Sequence, residues 1–469
     1  MKYKKYLFLI KKNHDEQRYN FIQKVRIVRV VRGLIFFILF FINNDVFSQT
    51  INLEQARELA LANSRSLANF EMAIRNSILN ERSQLFSMLP QLSADYSASA
   101  RFLQNWEFVN PIENYSVGAN FSITQIIFQG GRSFIQKAIS EISTERVRVN
   151  ARAAYFNVLN EIDNAYYAVL RAAAALEANA VSMQTAVLGL SIAEIRYASG
   201  MLNQGEYMEA LAAKEVSENT YNLSRRNLIL YVNRFKTLTG IKENIELEQI
   251  DFKNYEEVIL RLAGVTDENA DIIFEKFWEI LIISNPSLVN AALSRQIAEK
   301  NFSLSKRDYA PTISATLFSA NMSFLPSYNS SSSGGVTIRG TIPIDFWVLS
   351  NKLERNKISY QESMLDYENN EIEMEQNLQT ALFDLFSQAG SVISSRRSLE
   401  YRQRIYEYTM ERYRLLQASI YDLNEATKNL IESRNNLNNA SYNFLQRLSA
   451  LRSLCALDDE EKLLELLLQ

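Results

Sequence analysis

Apolar residues follow two different periods along this chain. In long stretches they repeat with helical spacing, and in four short segments they alternate with polar ones. The long stretches are marked first by what they lack. No Pro lies between Pro111 and Pro286 or after Pro343, and no Gly between Gly131 and Gly189 or between Gly340 and Gly390. Such stretches, rich in Ala, Leu, Glu, Asn, Arg and Ser, favour helix. Residues 132–199 as one rod would be ~100 Å long at ~1.5 Å per residue. A rod of that length needs partners along it. Leu423, Leu430, Leu437, Phe444 and Leu451 fall every seventh place, with Ala426, Ser433 and Ala440 as a small-residue seam three places on. A sustained seven-residue period predicts left-handed supercoiling, and the small residues let helices approach closely. The places 216 residues earlier hold Tyr207, Lys214, Tyr221, Leu228 and Phe235, a weaker seam.

Between the rods the period falls to two. Tyr115, Val117, Ala119, Phe121 and Ile123 alternate with Ser116, Gly118, Asn120, Ser122 and Thr124. Val336, Ile338, Gly340, Ile342 and Ile344 alternate with Thr337, Arg339, Thr341, Pro343 and Asp345. Each predicts a strand with one apolar face. Residues 93–102 and 312–324, just after Pro90 and Pro311, predict two more. Strands of ~9–11 residues suit a tilted crossing of a bilayer. Residues 101–111, with Trp106, and residues 329–335, with Ser331, join the members of each pair.

The two halves overlay. "LANSRSL" at 61–67 faces "ISNPSLV" at 283–289, and "MLPQLSA" at 88–94 faces "YAPTISA" at 309–315. "RYASGMLNQGEYMEA" at 196–210 faces "RYRLLQASIYDLNEA" at 412–426, and "FKTLTG" at 235–240 faces "LRSLCA" at 451–456. This is an internal duplication of helix, two strands, long helix, turn and long helix. The boundaries it predicts are a first repeat over 49–240, an inter-repeat segment over 241–272, a second repeat over 273–457 and a C-terminal tail over 458–469. Each paired turn carries acids three places apart, Glu206 with Glu209 and Asp422 with Glu425, which share one helix face. Without further context such a pair is a solvated face.

The first 48 residues change the charge. Ten Lys and Arg precede the apolar run "GLIFFILFFI" at 33–42, which is too short for a membrane-spanning helix. Val46 and Ser48 suit the −3 and −1 places of a signal-peptidase site, so residues 1–48 read as an export signal. Without them, 40 basic residues face 50 acidic ones, a net charge of −10 against −3 for the full chain. A basic nucleic-acid footprint is absent. The only His, His14, leaves with the signal, and Cys455 is the only Cys. No Ser-His-Asp triad, His/Cys zinc site, intrachain disulfide or glycine-rich phosphate loop can be built. No enzyme activity, cofactor or metal is expected.

With the duplication in place, the residues from about Ile51 to about Leu457 resemble the outer-membrane factor family, the TolC-like efflux and secretion channels. The resemblance rests on Asn285-Pro286-Ser287-Leu288, Leu89-Pro90, "IIFQGGR" at 126–132, the two Arg-Tyr turns and Leu238-Thr239-Gly240, in their order and spacing. It implies a mixed α and β membrane protein. Three chains would each give four strands to one transmembrane β-barrel, continuous with a coiled-coil α-barrel tunnel in the periplasm. It implies a homotrimer in outer-membrane lipid that works with a periplasmic adaptor and an inner-membrane RND or ABC transporter, in efflux or type I secretion. The residues alone already require some oligomer, because four strands cannot close a barrel in lipid.

The resemblance also gives the paired turns a place. Both would stand at the periplasmic mouth, the second bending inward, with the family's gating acids on Asp422 and Glu425 and a Tyr of its closing network on Tyr413. Tyr413 either hydrogen-bonds there or simply packs on a neighbouring rod. An Arg of that network falls on Ala418 and the turn's Gly on Leu416, two departures. Closure would then rest on Tyr413, or on Arg412 or Arg414 reaching a neighbour. Arg196, Tyr197, Glu206 and Glu209 of the outer turn are the residues for gating or for adaptor contact. The competing reading is a coiled-coil, adhesin-like envelope rod without a conduit, which would not need bilayer-length alternating strands. The cargo is not legible.

Overall fold

The computed structural model describes residues 49–100, 103–104, 107–108, 115–322, 333–415 and 417–468. In order they form β1 (Gln49–Ile51), α1 (Leu53–Asn63), α2 (Arg65–Phe86), β2 (Gln91–Ala100), β3 (Leu103–Gln104), β4 (Glu107–Phe108), β5 (Tyr115–Phe128), α3 (Arg132–Ala198) and α4 (Gln204–Thr239). Then come β6 (Ile245–Leu247), a 3-10 turn (Phe252–Tyr255), α5 (Glu256–Ala263), α6 (Asp267–Ser284), α7 (Pro286–Arg307), β7 (Thr312–Met322), β8 (Ser333–Thr341), α8 (Phe346–Arg414), α9 (Ile420–Leu454) and α10 (Glu460–Leu468). The expected rods are α3, of 67 residues, and α8, of 69. The expected leader, Trp106, Ser331 and Leu416 lie outside the described residues, as do the side chains of Tyr115, Ser116 and Val117.

The chain divides into two compact units, each assembled from separate stretches. Of the described residues, one holds those within Met1–Ala68, Arg152–Pro286 and Ile372–Gln469; the other holds those within Asn69–Ala151 and Ser287–Glu371. The second unit carries an antiparallel sheet in the order β2-β5-β7-β8, so the strand pairs of the two repeats join through β5 and β7. Its rungs alternate as the period of two requires. Leu92, Ile123, Leu317 and Val336 form one rung across all four strands, and Gln91, Thr124, Thr316 and Thr337 form an adjacent one. The apolar rung is exposed throughout, as are Tyr96, Phe121 and Ile338. On the polar face the Ser93 and Ser122 hydroxyls lie 2.7 Å apart and those of Thr124 and Thr316 3.1 Å apart.

Two strand ends differ from the pattern. β8 stops at Thr341 rather than reaching Asp345, because Pro343 has no N–H for a ladder. β5 runs past Thr124 to Phe128, through the non-alternating "QIIF". The glycines that follow explain "FQGGR". Gly130 and Gly131 have φ of +65° and +79°, and a Cβ on Gly130 would fall 2.3 Å from Ala310 Cβ. The turn is therefore open only to glycine at that point. Asp308 then ties the adjoining helix ends together, accepting from Arg132 at 3.5 Å and from Lys352 at 2.6 Å.

In the first unit the repeats end alike. Asn63 Nδ2 donates to the carbonyls of Thr237 and Leu238 at the end of α4, at 3.3 and 3.1 Å. Its counterpart Asn285 donates to Leu454 at the end of α9, at 2.8 Å. "LANSRSL" and "ISNPSLV" thus share an Asn because it satisfies helix-end carbonyls that lack a partner within the helix. Gly240 takes φ +77° to end α4, and Ala456, in the matching place after α9, takes φ +48° without being glycine.

The core of this unit holds one ionic cluster. The Asp163 carboxylate, wholly buried, accepts from Arg57 Nε at 2.6 Å and Nη2 at 2.9 Å, from Arg452 Nη2 at 2.9 Å and from Ser449 Oγ at 2.7 Å. Glu460, at the start of α10, accepts from both arginines and from Tyr255. Buried charges are tolerated when paired and hydrogen-bonded in this way. The C-terminal residues, expected as a tail, are thereby packed as a helix with Leu463 and Leu467 buried.

Candidate functional site

The paired Arg-Tyr turns lie in the first unit, and the same local grammar builds both. Helix α3 ends with Gly200 at φ +73°, its amide bonded to Tyr197 O at 3.0 Å and the Met201 amide to Arg196 O at 2.8 Å. That is a Schellman ending, in which a left-handed residue lets two outer amides reach back to free carbonyls. The corresponding outer bond after α8, Gln417 N to Arg412 O, is also 2.8 Å. The next helices start alike. Asn203 Oδ1 accepts from Glu206 N at 2.9 Å, and Ser419 Oγ accepts from Asp422 N at 3.1 Å.

Asp422 has a second bond of this kind. Its carboxylate accepts from the Ser419 amide at 2.9 Å and the Ser419 hydroxyl at 2.8 Å, closing a capping box. Those two donors hold its carboxyl below the usual value, with a smaller contribution from Arg412. The side chain remains exposed, and Glu425, three places on, is exposed too. Among the described residues neither forms an ion pair. The acid pair therefore sits at the first turn of α9, where a helix N-terminus favours negative charge.

Tyr413 is fully buried, in a cluster with Ala193, Ala210, Met410, Ile420 and Leu423. The first hairpin, α3 and α4, thus packs on the second, α8 and α9, through small residues. Gly189 sits at one close approach, since a Cβ there would lie 3.3 Å from Ile420 Cδ1. The Tyr413 hydroxyl donates to Gly189 O at a long 3.4 Å. Arg196 lies across the ring, its guanidinium carbon 4.4 Å from the centroid, and donates through Nη2 to Tyr413 O. Burial raises the pKa of Tyr413, with Arg196 opposing and Glu206 adding to the shift.

The other expected residues separate. Arg412 donates to Gln417 O at 2.8 Å within its own turn, and Arg414 pairs with Glu411 at 2.9 Å. Tyr197 stacks on Tyr207, with centroids 4.9 Å apart and planes 12° apart. Glu206 is half-buried near Tyr413, while Glu209 is exposed. The sequence reading missed Gly189, Ala193, Ala210 and the two cap residues. Ser419-x-x-Asp422 carried a capping signal, and Gly189 is the first Gly after a long Gly-free run. No group of His, Cys, Asp or Glu that could hold a metal occurs among the described residues.

The profile of the family described as "Outer membrane efflux protein" matches residues 56–241 and 279–456. No curated protein matches the chain in sequence. Among solved structures, the chain is similar to the CmeC outer membrane channel of Campylobacter jejuni at 17% identity and TM-score 0.71, over 87% of this chain and 88% of that one. It is similar to CusC at 16% identity and TM-score 0.72, over 88% and 95%. It is also similar to the outer membrane protein VceC of Vibrio cholerae at 15% and 0.68, over 86% and 96%. At these identities the likeness shows a shared fold.

Proposed function

The chain belongs to the outer membrane efflux protein family, and from that premise we propose that it is the passive exit duct of a three-part export assembly. It works as a channel and not as an enzyme. Three copies close the duct, and their helices continue into the periplasm as a tunnel. There a periplasmic adaptor couples it to an inner-membrane RND or ABC transporter, which selects the cargo.

The observation that carries this reading is the sheet. One face of four strands is apolar and exposed, the other carries Ser and Thr hydroxyls with Asp95 and Arg339, and among the described residues β2 and β8 each offer an unpaired edge. An open edge in lipid leaves backbone groups unsatisfied at several kcal/mol each, so the edge strands of successive copies pair. Three copies of four strands make the barrel that the family resemblance implies. The apolar face meets lipid and the polar face the lumen. Residues 241–272 form the segment between repeats.

At the periplasmic mouth the second turn lines the pore. Three Asp422 and three Glu425 form an acidic constriction that favours cations and binds multivalent ones. The Ser419 cap keeps Asp422 ionised against the mutual repulsion of such a ring. Glu206 and Glu209 on the outer turn serve adaptor contact. The test is reconstitution: protein purified from outer membranes should have the mass of a trimer and open discrete channels in planar bilayers. A detergent-independent monomer that never conducts would overturn the proposal.

A further inference from the structure

Among the described residues of its strands, the four-stranded sheet carries two charged side chains, and they are of opposite sign. Asp95 stands on β2 and Arg339 on β8, with none on β5 or β7. In the order β2-β5-β7-β8 these are the two edges. Both residues belong to the polar face. Asp95 falls between Ser93 and Ser97 in the period of two, and Arg339 between Thr337 and Thr341. Both are exposed. Among the described residues the ion pairs beside the sheet are those of Asp308 with Arg132 and Lys352, and neither edge charge is paired within its own copy.

The strand ends carry information on what each edge meets. Gln91, Thr124, Thr316 and Thr337 share one rung. β2 starts on that rung, whereas β5 runs on to Phe128, β7 starts back at Thr312 and β8 runs on to Thr341. This border of the sheet therefore slopes away from the rung by about four residues over three strand-to-strand steps. A fourth step, to β2 of the next copy, extends the slope to roughly five or six residues. The step per copy is even, because an odd one would turn the apolar face into the lumen. The even step that fits the slope is ~6 residues. Around twelve strands it gives a tilt of about 46°, at ~3.3 Å per residue and ~4.8 Å between strands, close to the ~35–45° of membrane barrels. With that step Thr337 meets the partner's Ser97, and Arg339 meets the partner's Asp95.

We propose that Arg339 of each copy pairs with the partner's Asp95 on the lumen side of the seam, and that these pairs set the register in which the copies close. This rests on the reading of the sheet as one share of a barrel made by three copies. Backbone bonding offers the same ladder at every even slip, so it does not choose among them. The charges do. A slip of two residues either way leaves the guanidinium opposite a serine, Ser93 or Ser97, and the carboxylate opposite a threonine, Thr337 or Thr341. Opposite charges stabilise a directly opposed cross-strand pair, and like charges destabilise it. The one acid and one base of the sheet thus discriminate where the backbone is indifferent.

Two experiments on the full-length protein test this. In the first, Arg339→Cys is combined in turn with Ser93→Cys, Asp95→Cys, Ser97→Cys and Ser99→Cys, and oxidised membranes are run on non-reducing gels. Directly opposed positions have the Cα spacing a disulfide needs, and diagonal ones exceed it. Arg339→Cys with Asp95→Cys should give the most covalent trimer. A maximum at any other position, or no cross-link in protein that still forms trimers, would overturn the register. In the second, Asp95→Arg, Arg339→Asp and the two together are compared by the temperature at which the trimer dissociates on gels. Each single change puts like charges across every seam and should lower that temperature, and the double exchange should recover most of the loss. A double exchange no better than the worse single change would overturn the pairing, as would single changes with the heat resistance of the parent. A parent that is monomeric in both experiments would instead strike the reading of a shared barrel.

Discussion

Replacing Asp163 by Asn keeps the shape of the side chain and removes its charge. In the parent that carboxylate accepts four hydrogen bonds, two from Arg57 and one each from Arg452 and Ser449, and it is wholly buried. After the change two guanidinium groups share only Glu460, which is 23% exposed. Removing one partner of a buried ion pair costs ~3–5 kcal/mol, because the remaining charge loses both its solvent and its partner. Asn retains one acceptor oxygen, which puts the expectation near the lower bound, ~3 kcal/mol. That corresponds to about a hundredfold in a local opening equilibrium. Native-state hydrogen exchange across α1, the C-terminal end of α9 and α10 is the assay, since it reads local opening element by element. Glu460→Gln, at the partly exposed edge, should cost only ~1 kcal/mol. Replacing the ion cluster with Asp163→Leu, Arg57→Met and Arg452→Met together should be far milder than Asp163→Asn alone. Equal effects of Asp163→Asn and Glu460→Gln, or parent-like exchange in Asp163→Asn, would refute the electrostatic account of this core.

Three further outcomes follow from particular residues. Phe121→Arg puts a charge on the exposed apolar face of the sheet and should cost ~2–4 kcal/mol in assembled barrel near mid-bilayer, while Ser122→Arg on the opposite face should assemble normally; heat-resistant trimer on gels reads both. Ala456→Gly relieves a left-handed backbone on a residue with a Cβ and should stabilise the end of α9 by ~1 kcal/mol, read as slower amide exchange at Leu457, whose amide bonds to Arg452 O at 3.0 Å. The Asp422 cap has a depressed folded pKa, so its contribution is present above the unfolded value of about 3.9 and is lost as pH falls through the folded one; protection of the first-turn amides of α9, taken relative to the intrinsic exchange rate at each pH, should fall on acidification below pH ~4 in the parent and show no such loss in Asp422→Asn.

The rods and strands were legible because each follows from a rule that depends only on near neighbours. Long runs without Pro, each crossed by a single Gly (Gly189 and Gly390), became α3 and α8, and alternation became β5 and β8. Their ends were less so. Pro343 cut β8 short because hydrogen-bond donation outranks apolar spacing there. The Asp163 cluster was invisible for a different reason. One acid among the six of a 67-residue helix resembles any surface acid, and its partners lie 106, 286 and 289 residues away. Asn63 and Asn285 aligned across the duplication, but only the structure shows that both serve the carbonyls of a later helix. At the candidate site the acids and Tyr413 were legible as positions. Arg196 was legible as a candidate, but its contact with the ring and carbonyl of Tyr413, 217 residues away, was not.

The central claim is that the second turn narrows a conduit with a ring of carboxylates. Reversal potentials under a KCl gradient, measured on single channels of the parent and of Asp422→Asn with Glu425→Gln, test it most directly. The isosteric pair keeps side-chain volume and most of the Ser419 cap while removing six charges from a trimer. The account predicts a cation-selective parent, blocked by trivalent cations from the periplasmic side, and a variant that loses both the selectivity and the block. Identical reversal potentials and identical block in the two proteins would contradict it, and the acids would then be a solvated helix face.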